Sequence, residues 1–352
     1  MHPISHRKHK PIHFLHNPEP DSLPQDVESF LRHLGGPTLI IIDGQDNSRC
    51  RGIATLLHGN EPSGVKALLA WLRSGQTPAV RVICLIASVQ AALHETLFYY
   101  RMIPGQRDMN RCFRPPFDDH QGHIAEHFMM LLDQYRPEAL LDIHNTSGMS
   151  PSFGVVTYLS PEHDHLVSLF TQRIIVTELR LGALMELSTP DYPIVTIECG
   201  GSDQPEADQT AIDGLHSYLF REQVLHSEGT NELDLYRHAV RFELVDDCHI
   251  AFADQPVAGA DLTVPFDVEK FNFGVIPALT RLGWLGPRGL SIFRVCSAGG
   301  ENVLPHFLLA RSSGLYSAQR LKLFMVTTNP AIALSDCLLY ACAETEHIRP
   351  PA

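Results

Sequence analysis

The sequence predicts an α/β fold, a sheet flanked by helices, followed by a smaller C-terminal β-rich domain. Three observations lead there. Over the first two-thirds of the chain, apolar runs of strand length alternate with amphipathic stretches of helical period, the pattern of layered α/β proteins. Three of those runs end in residues that bind metals or move protons, and open α/β sheets place their ligands beyond the carboxyl ends of their strands. From about Leu225 the texture changes to short strand-like runs cut by Gly, Pro and Asp turns. A chain of 352 residues supports two domains more readily than one. The division read from these changes is an N-terminal tail at 1–24, an α/β domain at 25–225 and a β-rich domain at 232–352. Ser227-Glu228-Gly229-Thr230-Asn231 is the linker between the last two.

In chain order, the tail is basic and rich in histidine, with His2, His6, His9, His13 and His16 in its first sixteen residues. Val27 to Leu34 reads as a short helix stopped by Gly35-Gly36-Pro37. Thr38 to Ile42 and Arg51 to Leu57 are apolar enough to be buried strands, and Asp43 to Arg49 between them carries hairpin-turn chemistry. Pro62 suits the first turn of a helix running to about Arg73, so His58 ends a strand and Glu61 sits in the turn before that helix. A strand from Ala79 to Ala87 and a helix from Val89 to Tyr99 follow. The Pro-, Arg- and Asp-rich stretch Arg101 to Asp119 reads as a long loop, a length that usually serves function.

Gly122 to Tyr135 is a helix, Ala139 to Ile143 a strand ending at His144, Phe153 to Tyr158 a strand, and Pro161 to Gln172 a helix. Ile194 to Ile197 is a fully apolar strand ending at Glu198, and Ala207 to Arg221 is the last clear helix of this part. Beyond the linker, Ala239 to Val245 and Leu290 to Cys296 read as strands, and Val303 to Arg311 has helical character.

Composition narrows the function. With 40 acidic against 27 basic residues and a net charge of −13, nucleic acid and anionic membranes are disfavoured as partners, and an anionic substrate needs a local cationic site. The eight cysteines form no Cys-x-x-Cys pair and lie mostly in apolar runs, which argues against a disulfide framework or a thiolate zinc site and for a reducing cytoplasm. The basic start lacks the apolar segment of a secretory signal, and no run reaches the ~18 apolar residues of a membrane span. There is no phosphate-binding Gly-rich loop and no Gly-x-Ser-x-Gly elbow. A small-molecule partner is what remains.

The chemistry gathers on four residues. His58 and Glu61, three apart across a tight turn, can both aim at one point and serve as zinc ligands; a packed histidine beside a carboxylate that favours the positive helix end is the competing reading. His144, in Asp142-Ile143-His144-Asn145-Thr146, supplies the third ligand of a two-His, one-Glu set that leaves a fourth position for water. Glu198, in Ile197-Glu198-Cys199-Gly200, is then the base that accepts a proton from that water and passes it to the leaving amine. Cys199 alternates to the opposite face and packs. Asn145 and Thr146 either line the site or cap a turn. Two other histidine clusters have bland explanations: His120, His123 and His127 share an exposed helical face, and His163-Asp164-His165 is a solvated helix start.

These four motifs, His58-Gly59-Asn60-Glu61, Asp108-Met109-Asn110-Arg111, Asp142 to Thr146 and Ile197 to Gly200, in this order, resemble the succinylglutamate desuccinylase and aspartoacylase family, relatives of the zinc carboxypeptidases. The resemblance covers about residues 50 to 205 and implies a zinc-carboxypeptidase-like mixed sheet for the catalytic domain at 25–225. It implies one Zn2+ per chain held by His58, Glu61 and His144, with Glu198 as base and proton shuttle. Asn110 and Arg111 match the pair with which the family grips a substrate carboxylate, a task suited to the planar fork of arginine.

The family places a cation for the oxyanion several residues before Asp-x-Asn-Arg; here Ile103 stands seven places before Asn110, with Arg101 and Arg107 on either side. Arg101 is assigned the role across a small insertion through Ile103-Pro104-Gly105, with Arg107 as its rival. Ser188 and Leu184 stand where aspartoacylase-like members carry Arg and Tyr ahead of the catalytic Glu, which separates this chain from their acyl selectivity. The function implied is zinc-dependent hydrolysis of the amide bond of an N-acyl amino acid. A metallocarboxypeptidase acting on a peptide C-terminus and a non-catalytic metabolite-binding relative are the alternatives.

Overall fold

Nine strands form one mixed sheet across the first two-thirds of the chain, in the computed structural model, which describes residues 11–146, 148–226, 232–297, 299–335 and 337–343. The strands are β1 (His13–His16), β2 (Thr38–Ile42), β3 (Asp46–Thr55), β4 (Val80–Ile86), β5 (Leu140–Thr146), β6 (Phe153–Val156), β7 (Arg173–Val176), β8 (Ile194–Gly201) and β9 (Asp234–Tyr236). Their spatial order is β1-β2-β4-β3-β5-β8-β6-β7-β9. Central strands β4, β3, β5 and β8 run parallel, while β2 and β6 oppose their inner neighbours. The long apolar runs of β2 and β5, buried on both faces, are what such a position demands.

Helices cover both faces. On one, Ile40, Ile53, Cys84, Leu141, Ile143 and Val195 pack with α1 (Val27–Leu34), α2 (Ser63–Ser74), α5 (Pro161–Ser168) and α6 (Pro205–Phe220). The alternate residues Leu39, Ile41, Ala54, Leu140 and Ile194 meet α4 (numbered after the short α3, Val89–Ala92), which spans His120–Tyr135. Asp119 caps α4 by accepting from Gly122 N at 2.7 Å. Arg51, fully buried on β3, ties the end of α6 to the sheet: its guanidinium donates to the carbonyls of Tyr218, Arg221 and Glu222 and pairs with Glu138 at 2.7 Å.

Two five-stranded sheets follow, with a core of their own around Phe242, Leu262, Ile276, Leu282, Leu321 and Leu339. One includes β10 (Val240–Leu244) and the strands Leu321–Phe324 and Leu339–Ala343, and it lays Phe324 against Phe153, Ile175 and Tyr236 of the large sheet. No helix among the described residues is long and apolar enough to cross a membrane.

Several expectations differ from this architecture. Of the tail at 1–24, residues 11–24 are described, and they are built in: Ile12 and Leu23 are buried, and β1 pairs in parallel with β2. His2, His6, His9 and the linker at 227–231 lie outside the described residues. The turn at Asp43 to Arg49 does not close a hairpin, because β4 inserts between β2 and β3; turn chemistry reports a reversal, not which strand fills the gap. The helix expected over Val89 to Tyr99 stops at Ala92: Glu95 and Phe98 take φ of 52° and 56°, which no helix continues, and Leu97 and Phe98 reach the core from a loop instead. Val303 to Arg311 divides into a turn of helix, Leu304–Phe307, and a strand, Leu308–Arg311. In Leu290 to Cys296 only Phe293–Arg294 is strand.

Candidate metal and catalytic site

The neighbouring strands β3, β5 and β8 carry the four residues to one place at their carboxyl ends. β3 ends at Thr55, three residues before His58, and Leu56 turns the chain out of the sheet with a φ of 54°. That left-handed backbone costs a leucine roughly 1 kcal/mol, offset by the complete burial of its side chain. Gly59 then passes so close to the chain at Ala92 and Tyr100 that a Cβ would lie 2.6 Å from their backbone atoms. Its N–H donates to Arg101 O at 2.8 Å, which ties the Arg101 loop beside His58. His144 lies within β5 and Glu198 within β8, where the two are register partners on the same face. Cys199 points the other way, into the core.

Glu61 is bracketed by imidazoles. Its Oε1 lies 2.8 Å from His58 Nδ1 and its Oε2 2.6 Å from His144 Nδ1. Each ring turns its other nitrogen to an aspartate: His58 Nε2 is 3.0 Å from Asp108 Oδ1, and His144 Nε2 is 2.9 Å from Asp142 Oδ1. This is the arrangement in which outer carboxylates orient metal-binding histidines. Burial alone would raise the Glu61 carboxyl, but the two histidines overcome it and hold it well below the ordinary range. Burial alone would likewise lower the His144 ring, and the Asp142 and Glu61 carboxylates hold it well above its ordinary value.

Arg101 reaches the same centre. Its Nε and Nη2 donate to Asp108 Oδ2 at 3.1 and 2.9 Å, and Nη1 lies 3.5 Å from Glu61 Oε1. Arg107 does not reach it: both arms of its fork hold Asp119 at the start of α4. Across the cavity, burial pushes the Glu198 carboxyl up to about 7, with Glu61 adding to the rise and His144 opposing it. Glu198 Oε2 is sealed from solvent and has no hydrogen-bond partner.

Asn110 is buried, accepts from Leu184 N at 2.9 Å and brings Nδ2 to 3.4 Å from His144 Nε2. Arg111 lines the cavity, donates to Asn110 O at 2.8 Å and has no ion-pair partner among the described residues. Asn145 and Thr146 also line it, with their polar groups engaged inward. Asn145 accepts from Ser63 N, donates to Ser63 Oγ and Gly200 O, and offers its backbone N–H to Glu61 at 3.3 Å; Thr146 Oγ1 donates to Gly148 O.

Sequence reasoning gave Asp108 and Asp142 no role of their own. Asp142 had a signal: a carboxylate inside an apolar strand needs a partner, and two residues along the strand places His144 on the same face. His163 is corrected from solvated to fully buried: Ser160 Oγ and Ser188 Oγ each lie 2.9 Å from one of its ring nitrogens, and burial pushes the imidazole down to about 4. His120 and His123 are exposed on α4.

His58, Glu61 and His144 can present one donor atom each, all within 4.8 Å of one another, and are the group of this kind found among the described residues. Two imidazole nitrogens and one carboxylate oxygen make a donor set that suits zinc. An orphaned carboxylate oxygen opposite fits a centre where a water is to be deprotonated.

Residues 53–205 match the succinylglutamate desuccinylase/aspartoacylase catalytic domain. No curated protein sequence matches the chain. Among solved structures, succinylglutamate desuccinylase from Vibrio parahaemolyticus is similar with a TM-score of 0.57 at 14% identity, over 91% of this chain and 95% of that one. A succinylglutamate desuccinylase/aspartoacylase from Rhodobacter sphaeroides gives 0.53 at 13% identity, over 81% of each chain. Succinylglutamate desuccinylase from Vibrio cholerae gives 0.52 at 15%, over 84% and 99%. At such identities the likeness is one of fold, and it extends through the β-rich part. Residues 53–205 are thus similar to the catalytic domain of the succinylglutamate desuccinylase/aspartoacylase family, and the fold of the chain is that of its solved members.

Proposed function

We propose that the protein is a zinc-dependent amidohydrolase that cleaves the amide bond of an N-acyl amino acid. The observation that carries this reading is the placement of Glu198, whose Oε2 has no hydrogen-bond partner, beside a carboxylate bracketed by two aspartate-backed histidines. His58, Glu61 and His144 would hold the ion. The chemistry a zinc ion supplies there is Lewis acidity, which polarises the scissile carbonyl and lowers the pKa of water towards neutrality.

Glu198 takes the proton of the attacking water at Oε2 and delivers it to the departing amine nitrogen. Burial holds its carboxyl near neutrality, where it can do both. Arg101, anchored by Asp108, faces the oxygen on which negative charge develops. Arg111, steadied by Asn110, takes the substrate carboxylate in its fork and supplies the local positive charge that an acidic protein needs for an anionic substrate. Asn145 is a positioning residue, joining the Glu61 carboxylate to the first turn of α2.

The cavity, about 990 Å3 including its mouth, is bounded on one side by Phe324, Met325 and Tyr340 of the β-rich part. That favours a small acylated amino acid over a peptide C-terminus. We place the activity in the cytoplasm, on the cysteine usage. The test is a turnover screen of zinc-loaded protein against N-acyl amino acids and short peptides, alongside the Glu198→Gln variant. Hydrolysis of acylated amino acids that disappears in the variant, with zinc still bound, is expected. A variant as active as the parent would overturn the mechanism.

A further inference from the structure

The polar machinery occupies one end of the cavity, and the other end is apolar. Val155 on β6 is the register partner of Thr196 on β8, two residues before Glu198 on the same face, and Ile175 on β7 is the partner of Val155. The face that begins at Glu198 therefore continues as hydrocarbon for two strand spacings, on the order of 10 Å. Phe324, from the β-rich part, packs with Ile175 and Val155 and closes the same wall. Arg101 and Arg111 are the only arginine or lysine side chains among the described residues that line the cavity. An acid, Glu186, lines the cavity on the Arg111 side, its Oε1 accepting from the backbone N–H groups of Leu181, Gly182 and Ala183, of which Gly182 packs against Arg111 O.

We infer that the substrate has one carboxylate, held at Arg111, and at its far end an apolar group, an aromatic ring or a medium-length chain, packed on this wall. This rests on the hydrolase reading above and narrows it: dicarboxylic substrates such as succinyl- or aspartyl-bearing ones are the poor ones. A second carboxylate placed here would be desolvated against hydrocarbon with no arginine or lysine to meet it. An apolar group gains from the same wall, roughly fourfold in kcat/KM for each methylene taken out of water. The group can belong to the acyl part or to the amino-acid side chain.

The experiment compares four probes on the zinc-loaded protein: N-acetyl-aspartate and N-succinyl-glycine against N-acetyl-phenylalanine and N-octanoyl-glycine. The expected result is a kcat/KM at least tenfold higher for one of the apolar probes than for either dicarboxylic one, and the better of the two says which end meets the wall. Calorimetric binding of the same four to zinc-loaded Glu198→Gln protein reads recognition without turnover. If no probe is hydrolysed but the apolar ones bind tenfold tighter, the hydrolase reading fails and this inference stands. Dicarboxylic probes bound or cleaved as well as the apolar ones overturn it. Val155→Lys, or Phe324→Lys should the first not fold, adds a cation to the wall. It shifts the ratio at least tenfold towards the dicarboxylic probes; an unchanged ratio in the folded variant overturns the inference.

Discussion

His144 and His163 are both shut away from solvent, and their surroundings are opposites. His144 has a carboxylate against each ring nitrogen, Glu61 at 2.6 Å and Asp142 at 2.9 Å. His163 has a hydroxyl at each, Ser160 and Ser188, both at 2.9 Å. The first environment accumulates negative charge that a neutral ring cannot balance, so it calls for a cation. Hydroxyls can donate or accept as the ring requires, so the second is complete with an uncharged imidazole. A buried histidine is thus read by what stands at both of its nitrogens, and sequence alone shows neither.

Substitutions sharpen that contrast, beginning with the largest effect. Glu198→Gln removes the remaining carboxylate of the first pocket and lowers kcat about 10³-fold or more while zinc stays bound; metal analysis and steady-state kinetics on the same sample check both halves. Ser188→Ala, the matching change in the second pocket, leaves kcat within a fewfold of the parent.

Next comes the arginine pair. Arg101→Ala lowers kcat by about 10²-fold, the scale of a lost oxyanion donor, whereas Arg107→Ala breaks a half-exposed pair with Asp119 and costs at most about 1 kcal/mol of stability. Equal kinetic losses in the two would reverse the assignment. Asp142→Asn leaves the His144 ring in place without its carboxylate and weakens zinc affinity by about 10- to 100-fold, measured by competition with a chelator.

The last contrast is one of stability rather than activity and belongs to His163. Its folded pKa of about 4 lies below the unfolded 6.5, so between those values the unfolded chain binds more protons. Stability is therefore full above pH 6.5 and declines as the pH falls towards 4, by up to about 3 kcal/mol from this one group. Denaturant melts of His163→Gln against the parent check it: the variant lacks that part of the pH slope and keeps its metal. A slope unchanged by the substitution would mean that the ring is not held neutral.

Much of this was legible in the sequence. The apolar strand runs, the Pro and Gly boundaries of α2, and the order of His58, Glu61, His144 and Glu198 follow from period and turn chemistry, which are local. What was not legible is what non-local pairing decides. β1 is a short, half-polar edge strand that resembles a tail until β2 pairs with it. β4 enters between two strands consecutive in sequence. The same limit governs the site. Two arginines flank Ile103, and only the bond from Gly59 N–H to Arg101 O, together with the hold of Asp119 on Arg107, separates them. The apolar wall is assembled from β6, β7 and the β-rich part, three stretches with nothing in common until they fold.

The claim on which the rest depends is that one ion shared by His58, Glu61 and His144 is needed for amide hydrolysis. Its most direct measurement is zinc content and turnover of one preparation before chelation, after it, and after zinc is returned. The expected result is one zinc per chain, activity lost with the metal and regained with it, and no zinc retained by His58→Ala or His144→Ala. Full turnover by the metal-free protein, or a full complement of zinc in those variants, would contradict it.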